Sequence, residues 1–218
     1  MRESICTLPV VDVFLEPDGC PICKMKGIIE ARITDYILGA AMMEPDIRIE
    51  TNKSGFCNHH YDKLLEHRGK LQLALILESH FDEVERLIKK NDTKKLEAML
   101  NDCFVCNKIN WGLSLMLETI RITYEKDGDF RRLFSTAEYI CPHHALMLTS
   151  GVSKKNMRSY RNEFIKEVNQ KTLTKTAEIK QSINGFTRLF DYRNAENKED
   201  EARLKNAPYD AIDFISKK

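Results

Sequence analysis

Four short stretches of the chain carry residue types and spacings that could do chemistry. "CPIC" at 20–23 and "CFVC" at 103–106 each separate two thiols by two residues, which lets both sulfurs reach one ion. "CNHH" at 57–60 and "CPHH" at 141–144 each place a thiol and an imidazole three apart, on one face of a helical turn. A thiol pair together with a thiol–imidazole pair makes a closed Cys₃His set, whose three thiolates around Zn²⁺ leave a net charge of about −1.

Eight candidate metal ligands follow: Cys20, Cys23, Cys57, His60, Cys103, Cys106, Cys141 and His144. Paired with their nearest neighbours they form two quartets, the first four and the last four. The alternative joins Cys20 and Cys23 to Cys141 and His144; local closure is preferred because it orders a shorter loop. The expected cofactor is zinc, two ions. Iron–sulfur clusters, which also accept mixed Cys and His ligands, are the alternative, and reversible dithiols at the same cysteines are a second one. Haem attachment is excluded, since Lys24 and Asn107, not histidine, follow the two CxxC motifs.

The flanking residues agree. Pro21 and Pro142 each follow a cysteine, and proline is favoured at the first position of a helix. Asp102 is placed to cap a helix after Cys103. Each quartet then gathers at two helix N-termini, whose partial positive charge favours thiolate and an anionic metal centre. His59 and His143 adjoin the ligands but fall ~200° round the helix from the cysteine two residues before, so they are expected to point elsewhere. His67 and His80 are read as surface or helix-face histidines, Cys6 as a buried or idle thiol, and Trp111 as core.

The motifs recur at fixed offsets: 20 to 103 is 83 positions, and 57 to 141 and 60 to 144 are each 84. Six of the seven cysteines therefore sit at equivalent places, as in two copies of one unit. The units span about 18–100 and 101–151, within a duplicated region 1–151; residues 152–218 belong to the same domain. Apolar residues at three-and-four spacing predict a helix after each CxxC: Ile28, Ile29, Ile33, Tyr36, Ile37 and Ala40, then Ile109, Leu113, Met116, Leu117, Ile120 and Tyr124. A long helix is expected from His59 to Lys90, with Leu64, Leu65, Leu71, Leu75, Phe81, Val84 and Leu87 buried. A short connecting helix covers 93–102, another long one 154–193, and short helices or a frayed tail follow. "LPVVDVFL" at 8–15 is the one plausible strand. The fold class is all-α, a helical bundle of two duplicated metal-binding units plus a long C-terminal helix.

Composition sets outer limits. Lys+Arg of 34 against Asp+Glu of 33 gives no global pull toward a polyanion, although residues 154–193 are basic and would offer the one nucleic-acid surface. No run approaches the ~18 apolar residues of a membrane span, and the N-terminus lacks a secretory pattern. An odd cysteine count without export reads as ligands in a reducing compartment, hence a cytoplasmic protein.

On the doubled pattern CPIC…GFCNHH and CFVC…ICPHH, the chain resembles a family of functionally uncharacterised bacterial and archaeal proteins with paired CxxC and GFCxxH motifs. The resemblance covers most of 18–150 and implies a prokaryotic source and metal binding, with no activity attached. "ICPHH" departs from GFCxxH at Tyr139 and Ile140, a matter of packing before the cysteine. No catalytic triad, phosphate loop or dinucleotide fingerprint is present. The expected function is a metal-stabilised helical protein of structural or adaptor type acting on a protein partner; a redox or electron-transfer protein is the alternative.

Overall fold

The computed structural model describes residues 7–16, 18–39, 43–190 and 204–216. Among the described residues there are eleven helices and no strand, so the fold is all-α. The helices are α1 (Leu8–Leu15), α2 (Pro21–Leu38), α3 (Pro45–Ser54), α4 (Asn58–Glu66), α5 (Lys70–Lys89), α6 (Thr93–Leu100), α7 (Phe104–Lys126), α8 (Gly128–Thr136), α9 (Pro142–Ser150), α10 (Arg161–Arg188) and α11 (Ala207–Ile215).

The chain divides into two compact units. A central unit is Lys26–Leu115; a terminal unit joins Met1–Met25 to Met116–Lys218. The division falls inside α2 and α7, each of which belongs to both.

The central unit builds its core from Ile37 and Leu38 of α2, Phe56, Leu64 of α4, Leu73 and Ile76 of α5, and Phe104, Val105 and Ile109 of α7. Buried Cys103 belongs to the same cluster, and Cys57 and Cys106 pack against it. On α7 the buried positions 105, 109 and 113 follow one helical stripe. Trp111 lies ~200° away from Ile109 on that helix. It is accordingly 66% exposed and not the core residue expected.

The expected long helix from 59 is two. His67 is extended at φ −71°, ψ 152°, and Gly69 begins α5. The break resets the stripe, which buries Leu73, Ile76, His80 and Leu87 and leaves Leu65, Leu71 and Phe81 exposed. His80 is therefore on the buried helix face, its Nδ1 3.0 Å from the carbonyl of Asn52, the helix-face and not the surface alternative expected. On α2, Ile37 is buried and Ile29 and Ile33 pack on the core, whereas Ile28 and Tyr36 are exposed; Ala40 lies outside the described residues.

The terminal unit is organised by aromatic rings. Phe134 of α8 touches Phe14, Tyr124 and Phe164 at centroid distances of 5.3, 5.3 and 5.4 Å, and Phe14 meets Phe130 at 5.5 Å. Phe14 belongs to α1, the segment read as a strand. It is helical because Val10, Val11, Val13 and Phe14 form one buried helical face, with proline in the first turn.

The long C-terminal helix starts at 161 rather than 154. Glu125 accepts the backbone N–H groups of Ser159 and Tyr160 at 2.9 and 3.1 Å, capping α10 there. Asn156 closes the preceding turn by donating to the Gly151 carbonyl and accepting from the Ser153 amide, both at 2.9 Å. Of the expected tail helices, 208–217 coincides largely with α11, and most of 195–206 lies outside the described residues.

Candidate metal centres

All eight sequence-derived residues gather into two quartets, one in each unit. The pairing is the crossed one. Cys20, Cys23, Cys141 and His144 converge in the terminal unit, and Cys57, His60, Cys103 and Cys106 converge in the central unit; within each set the ligand atoms all lie within 4.8 Å of one another. The local quartets expected from loop length are not formed. Closure entropy grows only logarithmically, so lengthening a loop from ~37 to ~120 residues costs about 1 kcal/mol. Burial of one helix face exceeds that easily.

Local structure places the sulfurs. Cys57 and Cys141 are the N-cap residues of α4 and α9 at β-region angles, φ −77°, ψ 163° and φ −69°, ψ 156°. Cys20 and Cys103 immediately precede the first residues of α2 and α7. Each quartet thus sits at two helix N-termini, where unpaired N–H groups favour negative charge. In the central site the amide of Cys106 donates to Cys103 Sγ at 3.5 Å, and Asp102 steadies the turn by accepting from the Cys103 amide and the Asn107 side chain, each at 2.8 Å.

Backbone conformation brings the two halves of each site together. Gly55 adopts φ 59°, ψ −155°, a region open to glycine alone. Its carbonyl accepts the Phe104 amide at 3.0 Å, fastening the Cys103 turn beside the Cys57 turn. An added Cβ would come within 3.1 Å of the His80 ring. In the terminal unit Gly19, at φ 73°, donates to Glu138 at 2.8 Å, and Glu138 also pairs with Lys175 of α10 at 2.9 Å. Helix α10 holds the segment before Cys141 with two further bonds, from Thr172 to the Ile140 carbonyl at 2.8 Å and from Lys171 to the Ala137 carbonyl at 2.7 Å. Tyr139 and Ile140, the departures from GFCxxH, are absorbed by this strap: Ile140 is fully buried, and Tyr139 lies 5.6 Å from Phe214 and under Lys175.

The donor spacing is near that of one tetrahedral ion, most pairs standing a few tenths of an ångström closer. Four ligands at ~2.1–2.3 Å from a common centre stand roughly 3.5–3.8 Å apart. In the terminal site His144 Nδ1 is 3.7, 3.3 and 3.1 Å from the sulfurs of Cys20, Cys23 and Cys141, and Cys23 is 3.7 Å from Cys141. In the central site His60 Nδ1 is 3.1, 3.3 and 3.4 Å from Cys57, Cys103 and Cys106, and Cys57 is 3.9 Å from Cys106.

Electrostatics point the same way. Three thiols this close cannot all ionise unaided. Hydrogen bonding to Cys141 pushes Cys20 up to about 11 and Cys23 far higher, while the bonds Cys141 receives from Cys20, Cys23 and His144 drive it far down. In the central site burial, then its bond with Cys103, lifts Cys106 to about 12. Burial also holds His60 below the usual imidazole range, in the neutral form a metal ligand requires. A bound cation would let every sulfur ionise at neutral pH.

The neighbouring histidines do not supply Nδ1 to the sulfur clusters. His59 is 64% exposed at its side chain and pairs with Glu30 at 3.1 Å, and His143 packs against the His144 ring. Glu30 is the residue that sequence reasoning missed. It lies 3.0 Å from His60 Nε2 and bonds Lys63. In the sequence it is a lone acid two turns after Cys23, with no signal to single it out. Cys6 lies outside the described residues.

No helix among the described residues is long and apolar enough to cross a membrane. The chain belongs to DUF6062, a family of unknown function whose model matches residues 1–218. No curated protein and no solved structure matches it.

Proposed function

We propose that the protein is a zinc-binding helical protein of structural or adaptor type, with one Cys₃His ion in each unit. The observation that carries this reading is the convergence of three sulfurs and one imidazole nitrogen on a single ion's coordination sphere, twice. Zinc is the metal such a set favours. Four protein ligands close the tetrahedron and leave no position for water or substrate, which favours a structural role over metal catalysis.

The iron–sulfur alternative fits less well. A cluster places several irons between its ligands, so thiolates on different irons stand further apart than two ligands of one ion, whose limit is ~4.6 Å. In each site every donor lies within 4.8 Å of every other, close to that limit, which favours a single ion. As a structural element, each ion would fasten the start of α2 to that of α9, or the start of α4 to that of α7. The matching offsets of the two motif pairs support an internal duplication in which the copies exchange their CxxC halves.

Elemental analysis of anaerobically purified protein tests the reading. Two zinc ions per chain and no absorption near 400 nm are expected; stoichiometric iron with sulfide would replace it with the redox reading.

A further inference from the structure

The two sites differ in what stands behind the histidine. In the central unit His60 Nε2 meets Glu30 Oε1 at 3.0 Å, and Glu30 is itself held by Lys63 and by His59 at 3.1 Å. In the terminal unit His144 Nε2 is buried without a hydrogen-bond partner among the described residues.

This asymmetry bears on affinity. An imidazole that binds through Nδ1 carries its proton on Nε2, and a carboxylate accepting that proton fixes the tautomer, orients the ring and strengthens the nitrogen as a donor. The bond from Glu30 supplies this for His60. His144 binding in the same way would bury an unpaired N–H, which weakens it as a ligand. Access differs too. Cys23 is exposed, whereas Cys57 and Cys106 are half-buried, so a competing ligand reaches the terminal site more easily.

We propose that Glu30 is a positioning residue that makes the central site the tighter of the two, and that the terminal site is the exchangeable one, yielding its ion first to a competing chelator. The proposal rests on the metal reading above and ranks the two sites within it.

Full-length protein loaded with two equivalents of zinc is challenged with excess chelator. Samples are quenched with a thiol-alkylating reagent at intervals, and modification is mapped by peptide. Cys20 and Cys141 are the reporters, because they are as buried as Cys103. The expected result is modification of Cys20 and Cys141 while Cys103 stays protected, with one zinc still bound. Glu30→Ala should weaken the central site by roughly 10–100-fold and leave the terminal reporters unchanged. Glu30→Gln, whose amide oxygen still accepts the Nε2 proton, should fall between. Simultaneous release of both ions, release from the central site first, or a Glu30→Ala effect absent or equal at both sites would overturn the ranking. A chain that takes up no zinc would overturn the metal reading and the ranking with it.

Discussion

The sulfurs of Cys23 and Cys141 stand 3.7 Å apart although 118 residues separate them in the chain. That single distance sets the connectivity of both sites, because it assigns the first CxxC to the second Cys-x-x-His and leaves Cys103 and Cys106 for Cys57 and His60. Cys141→Ser should then free Cys20 and Cys23 for alkylation while Cys57, Cys103 and Cys106 remain protected. Exposure of Cys103 and Cys106 instead would mean that the sites close locally.

Proton competition should govern metal affinity. In the metal-free chain the raised thiols, Cys20 up to about 11 and Cys106 up to about 12, hold their protons at neutral pH, and an incoming ion must displace them. Acid favours the protonated, metal-free form, so affinity falls as pH falls, by about tenfold per unit for each proton displaced. His60, kept neutral by burial, releases no proton near pH 7. Competition titrations at three pH values between 6 and 8, with proton release followed in weak buffer, would read this directly; a pH-independent affinity contradicts it.

The ring cluster should carry much of the terminal unit's stability. Phe134 is fully buried against Phe14, Tyr124 and Phe164. Phe134→Ala should cost ~3–5 kcal/mol in denaturant unfolding, and a loss under 1 kcal/mol would show the cluster to be loosely packed.

Gly55 is a backbone requirement two residues before a ligand. Its positive φ strains any other residue, and an added Cβ would press on the His80 ring at 3.1 Å. Gly55→Ala should cost ~1–3 kcal/mol and loosen the central ion selectively. Wild-type melting and wild-type metal retention in that variant would refute the geometric account.

The ligands were legible in the sequence because their chemistry is local. Two thiols three apart, or a thiol and an imidazole three apart, announce themselves within four residues, and Asp102 marks the turn before Cys103. Which half-site meets which was not legible, since it depends on helix packing, and loop length is too weak a term to decide it. Glu30 was invisible for a related reason: a lone acid on α2 acquires its role only when His59, His60 and Lys63 of α4 are folded against it. Periodicity found the buried face of α7 from Ile109 to Tyr124 but missed the break at His67–Gly69, and an apolar run of eight residues looked like a strand until its ring partners from distant segments defined its inner face.

X-ray absorption at the zinc edge of the loaded, full-length protein tests the central claim most directly. Two mononuclear Cys₃His centres should give, per zinc, three sulfurs at ~2.3 Å and one nitrogen at ~2.0–2.1 Å, with no metal–metal scattering. A short metal–metal vector, or a first shell rich in oxygen, would contradict the account.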